Sequence, residues 1–135
     1  MAELLGRRGL VLRADLLRAW AHWITPEVEK KRFDTRFFVA ALPVGQRTRD
    51  VGGEADRVMW LGATEVLEAE RAGQMSLLPP TIAALTDLSS YSSVADVLAA
   101  APAREITPTM PKLVLDADGN LRFLLPHDAD YPGTP

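Results

Sequence analysis

Apolar and polar positions follow one another in short blocks along this chain, and glycine and proline mark most of the boundaries. Residues 2–8 (AELLGRR) read as the last turns of a helix closed by Gly9. That helix has no N-cap and little length, as if continued from an earlier segment. Residues 16–24 are apolar and Trp-rich and stop before Pro26. They suit a strand, although "DLLRAWAHW" also fits a helical period. A polar connection, "TPEVEKKRFDT", leads to a strand over Arg36–Leu42, where aromatic and β-branched residues end at Pro43. The loop "PVGQRTRDVGGE" precedes a short strand over Asp56–Leu61. Thr64 can then cap a helix that buries Val66, Leu67 and Ala63 and ends at Gly73.

Pro79 and Pro80 suit the first positions of the next helix, where a missing N–H costs nothing. Ile82, Leu85 and Leu88 follow at helical spacing. Ser93 with Asp96 opens "VADVLAAA" as a variant of a capping box. "KLVLDADGNLRFLLP" reads as two strands joined by an Asp-Ala-Asp-Gly turn, and the tail "HDADYPGTP" reads as irregular. The fold class is therefore α/β, or α+β if helices and hairpin are counted apart. No internal repeat or low-complexity tract is visible.

Length and composition narrow the function classes. A chain of 135 residues that is 47% hydrophobic suits one domain with a packed core. A net charge of −3 argues against nucleic-acid binding, which needs clustered positive charge. The absence of cysteine rules out disulfides, thiolate metal sites and a Cys nucleophile. His22 and His127 are far apart in unlike contexts, which disfavours a His-based zinc site or a Ser-His triad. No apolar run has membrane-spanning length, and the N-terminus is too charged for a signal peptide. A cytoplasmic setting is expected, and the Ala, Arg and Leu richness suggests a GC-rich bacterial genome.

Several residues carry candidate chemistry, each with a plainer alternative. In "RFDTRFF", Phe33, Phe37 and Val39 suit a core while Asp34 pairs with an arginine; alternatively Arg32 or Arg36 meets a substrate phosphate, which a guanidinium fork matches. Trp20, Trp23 and Trp60 are core anchors or stacking surfaces for an adenine. Met75–Pro80 is a helix lead-in or a ligand-side loop. Asp116 and Asp118 before Gly119 resemble part of a calcium loop, but its remaining ligands are missing and a hairpin turn is the better reading. Glu27 and Glu29 read as surface charges, and His127 with Asp128 and Asp130 as a surface tail.

Four segments in order, "WITPEVEKKRFDTRFFVAALP", "GEADRVMWL", "LLPPT" and "DADGNLRFLLPHDADYPG", resemble Nudix hydrolases of the motif-19 type, the acyl-coenzyme A diphosphatases. The resemblance runs from about Leu5 to Gly133. It implies a Nudix α/β/α sandwich, and magnesium- or manganese-dependent hydrolysis of coenzyme A or an acyl derivative into phosphopantetheine and adenosine bisphosphate parts. It also implies a carboxylate outside the catalytic box that acts as metal ligand or base, for which Glu54 is the candidate; a solvated turn is the alternative. Trp23, Arg32, Arg36, Pro79 and Pro80 become the candidate substrate contacts.

The family's signature, G-x5-E-x7-R-E-U-x-E-E-x-G-U with U aliphatic, is expected before "LLGRRGL", and the chain begins at Met1. Two partial copies occur elsewhere. Arg104-Glu105-Ile106 matches the R-E-U core, but Pro108 breaks the helix that must follow. Glu65 and Glu68 have usable spacing, with Thr64, Ala69 and Arg71 in place of the arginine, a glutamate and the glycine. A hard divalent ion needs several carboxylates converging from one rigid element. Its Lewis acidity is worth several kcal/mol of transition-state stabilisation. The expectation is thus a Nudix-like domain over residues 1–135, incomplete at its start. It would comprise a helix end (1–9), a sheet region with one helix (10–78), and C-terminal helices with a hairpin (79–135). It would bind no metal and hydrolyse little by itself. Alternatives are a non-catalytic nucleotide- or coenzyme A-binding module, or a module that docks on a partner chain. Exposed sheet edges would favour oligomers.

Overall fold

The computed structural model describes residues 2–46, 58–116 and 118–132. Its elements run α1 (Ala2–Arg7), β1 (Arg18–Ile24), β2 (Asp34–Val39), α2 (Ala63–Arg71), α3 (Pro79–Ser89), α4 (Val94–Ala100), β3 (Pro108–Thr109), β4 (Lys112–Leu115) and β5 (Leu121–Leu124). The architecture is mixed α+β. One sheet has the order β2-β1-β3, and β4 pairs with β5 in a separate hairpin.

Glycine ends two helices as expected. Gly9 follows α1 with φ 62° and Gly73 follows α2 with φ 69°, a left-handed backbone that glycine adopts without a Cβ clash. The cap of α2 differs from the expectation. Gly62, not Thr64, occupies the N-cap, and its N–H donates to the Glu65 carboxylate at 3.3 Å. The strand expected over Asp56–Leu61 is also absent from its described part, residues 58–61. Pro79 and Pro80 do open α3, with Leu78 as N-cap. Ser93 caps α4 by accepting the Asp96 N–H at 3.2 Å. Its hydroxyl donates to the Asp96 carboxylate at 2.7 Å, which Asp, shorter than Glu, reaches in place of the Ser93 backbone.

The ambiguous Trp-rich segment is a strand. β1 runs antiparallel to β2, with Trp23 opposite Thr35 and His22 opposite Arg36, and the ladder slips between Ala19 and Ala21. Trp20 is the inserted residue of that bulge. β2 lies two to three residues earlier than the pattern suggested, because Asp34 already pairs with Ile24. β3 adds a short parallel pairing to β1, His22 with Pro108 and Trp23 with Thr109.

Trp20, Trp23, Leu67, Ala101 and Leu124 form the buried apolar core of the described residues, and Trp20 is only 1% exposed. The Tyr91 ring meets Trp20 edge-on, with centroids 5.7 Å apart. Of the other residues expected in the core, Phe37, Val39 and Val66 are half-buried, and two are mostly exposed. Trp60 is 70% exposed and Phe33 is 55% exposed. Among the described residues no helix is long and apolar enough to cross a membrane.

Candidate functional site

The connection between β1 and β2 closes on itself. The Thr25 N–H donates to the Phe33 carbonyl at 3.0 Å, and the Phe33 N–H donates to the Thr25 hydroxyl at 3.0 Å. Phe33, held in this neck, is more than half exposed. Arg32 reinforces the neck by donating to the Thr25 carbonyl at 3.1 Å and to the Met110 sulfur at 3.5 Å.

Beside the neck lies a groove of about 490 Å³. Trp23 of β1 and Phe37 of β2 line it from the sheet, Phe33 from the neck, Pro79 and Pro80 from the start of α3, and Phe123 from β5. Its volume falls within the roughly 300–1,000 Å³ of small-molecule sites. The polar groups at its margin include Glu29 and Lys31, and the Lys31 ammonium lies 5.1 Å from the centre of the Phe33 ring.

A smaller, more polar cleft of about 250 Å³ runs past Trp20, His22, Asp87, Arg104 and Thr107. The Arg104 guanidinium stacks 4.1 Å from the Trp20 ring, donates to the Trp20 carbonyl at 3.2 Å and pairs with Asp87 at 2.5 Å. His22 Nε2 lies 2.6 Å from Asp34 Oδ1, and Arg36 approaches the same oxygen at 3.5 Å. The Trp20 indole N–H is buried without a hydrogen-bond partner among the described residues.

Three of the five expected substrate contacts meet in the larger groove: Trp23, Pro79 and Pro80. Trp23 is 7% exposed, which places it in the core, and it also forms part of the groove wall. Arg32 and Arg36 do not join them. Arg32 is engaged at the neck. Arg36 lies between Thr35 and Phe37, which line the groove, so the two-residue period of the strand sends it to the opposite face. Glu54 lies outside the described residues. Sequence reasoning passed over Phe123 and the roles of Arg104 and His22. The alternation of "LRFL" was a signal for Phe123. The partners of Arg104 are 84 and 17 residues away, beyond any local pattern.

The described residues do not fit an oxygen-ligated divalent ion, because no group of three or more Asp, Glu or His side chains gathers among them. Glu65 is committed to the cap of α2. Asp116 Oδ1 accepts the N–H groups of Asp118 at 3.0 Å and Asn120 at 2.8 Å, which builds the hairpin turn.

No protein-family profile matches the chain, and no solved structure matches it. Curated proteins to which it is similar include two acyl-coenzyme A diphosphatases. Acyl-coenzyme A diphosphatase NUDT19 of Xenopus laevis is 28% identical over 126 residues, covering 88% of this chain and 33% of that protein. Acyl-coenzyme A diphosphatase NUDT19 of Gallus gallus is 28% identical over 141 aligned positions, covering 98% of this chain and 37% of that protein. The chain therefore spans about a third of the length of these relatives. The similarity supports a Nudix-like relationship.

Proposed function

We propose that this chain forms the substrate-binding part of a Nudix-like hydrolase. The substrate class is coenzyme A, an acyl-coenzyme A or a related nucleoside diphosphate derivative, and the bond cut is the diphosphate. The observation that carries this reading is the convergence of Trp23, Pro79 and Pro80 in one groove, from positions more than fifty residues apart. Their motifs belong to a stretch similar to two acyl-coenzyme A diphosphatases.

In this reading the chain's own residues bind and orient. Trp23 and Phe37 present a rigid apolar wall that excludes water, and the neck held by Arg32 fixes the position of Phe33. In the complete enzyme magnesium or manganese would supply the Lewis acidity. In this reading the chain by itself hydrolyses at or near background. The test is calorimetric titration of the purified chain with coenzyme A and an acyl-coenzyme A, followed by a turnover assay with magnesium or manganese. Saturable binding with background turnover supports the proposal. Failure to bind both coenzyme A and an acyl-coenzyme A would refute the substrate class, and chelator-sensitive turnover would refute the division of labour.

A further inference from the structure

The start of α3 is where a phosphate would ordinarily sit. Helix N-termini present free N–H groups and a positive dipole end to anions. Here that capacity is removed. Pro79 and Pro80 have no N–H. The next two donors, Thr81 N–H and Ile82 N–H, bond to the Leu78 carbonyl at 2.9 and 3.1 Å. Of the nearby side-chain cations, both arginines are engaged elsewhere and only Lys31 stands at the margin. Arg32 is spent on the neck, Arg36 lies across the sheet beside Asp34, and the Lys31 ammonium lies over the Phe33 ring with Glu29 also at the margin. What faces the space is mainly ring and hydrocarbon surface, with Thr25, Thr35 and Thr81 among it and Glu29 and Lys31 at the margin.

We propose that this groove takes the acyl chain of an acyl thioester and leaves the phosphate-bearing half of the ligand outside it. The inference rests on the coenzyme A-type reading above and assigns one part of that ligand to one place. A methylene needs about the volume of a water molecule, roughly 30 Å³. The space of about 490 Å³ therefore holds a chain on the order of ten to sixteen carbons. The proline pair acts as the selecting device, since it replaces an anion site by an apolar floor at the same point of the helix.

The experiment is a binding series with coenzyme A, acetyl-, hexanoyl- and lauroyl-coenzyme A below their micelle-forming concentrations, on the full chain and on Phe33→Asp. Phe33 is more than half exposed, so a carboxylate there charges the groove without unpacking the core; Phe123→Asp is the second variant, and circular dichroism checks that both fold. In the unmodified chain, affinity should rise about two- to fourfold per methylene, the upper value being the equivalent of ~0.8 kcal/mol. Lauroyl-coenzyme A should then bind at least a hundredfold more tightly than coenzyme A. In folded Phe33→Asp or Phe123→Asp protein the four ligands should converge to within a few-fold of one another. Equal binding of all four by the unmodified chain would overturn the acyl assignment and leave the coenzyme A reading standing. Loss of all binding would overturn both. A chain-length dependence that survives both substitutions would place the acyl group elsewhere and overturn the assignment.

Discussion

Arg104 shows how one side chain can tie distant parts of a small protein together. Its guanidinium lies on the Trp20 ring, its Nε–H reaches the Trp20 carbonyl and its other nitrogen meets Asp87, so β1, α3 and the segment after α4 share one residue. A desolvated cation–π contact contributes up to about 2 kcal/mol, and a hydrogen bond to a charged group about 1.5–3 kcal/mol. The Asp87 pair is partly exposed and adds less. Arg104→Ala should lower unfolding free energy by about 2–3 kcal/mol in a urea titration. Arg104→Lys should recover little, because an ammonium neither stacks as a plane nor spans both partners. An alanine variant within about 0.5 kcal/mol of the parent would show the contact to be idle. At this scale the sequence was least legible. "REI" resembled the core of a catalytic signature, whereas the arginine is structural and its partners are set by tertiary packing.

At the scale of elements, legibility followed the chemistry of chain punctuation. The glycines after α1 and α2, the prolines of α3, the Ser93 cap and the hairpin were all readable, because each is fixed by a residue's own φ preference or a short-range hydrogen bond. The two-residue β3 was not readable, since only its pairing with β1 makes it a strand. The α2 cap moved to Gly62 because the Glu65 carboxylate can serve a backbone N–H. The hairpin turn has a titratable element. The Asn120 N–H, the largest cause, with smaller help from the Asn120 side chain, the Asp118 N–H and Arg122, holds the Asp116 carboxyl below its ordinary value. A depressed carboxyl stabilises the fold above its unfolded pKa, about 3.9, and loses that contribution as pH falls through the lower, folded value. The Asn120 and Asp118 amide resonances should therefore titrate together with a midpoint below 3.9, and the β4–β5 pairing should loosen in the same window. A midpoint at or above the ordinary value would contradict this account.

At the scale of the molecule, exposure is the dominant fact. The chain presents 10931 Å² to solvent, where a folded monomer of 14.8 kDa would present about 7,000 Å². Much of what shows is apolar, including Phe38 on β2 and Leu115 and Leu121 on the hairpin. β2 also borders its sheet with an unshared edge among the described strands, and such edges template pairing with another chain. Since a standard interface covers about 800 Å² per partner, the surplus is large enough to drive association. Sedimentation at tens of micromolar should show mass above 14.8 kDa that grows with concentration. A single species of monomer mass over the whole range would count against it. The mixed α+β class was legible from the order of blocks. The depth of the core was not, because composition counts apolar residues without saying how many find neighbours.

The extra residue at Trp20 has a consequence for variants of β1. Shortening the strand by one between Ala19 and Ala21 would straighten its ladder in a single event and remove or displace the ring beneath Arg104. At this point of the strand a change of length therefore does what no exchange of one side chain for another can do.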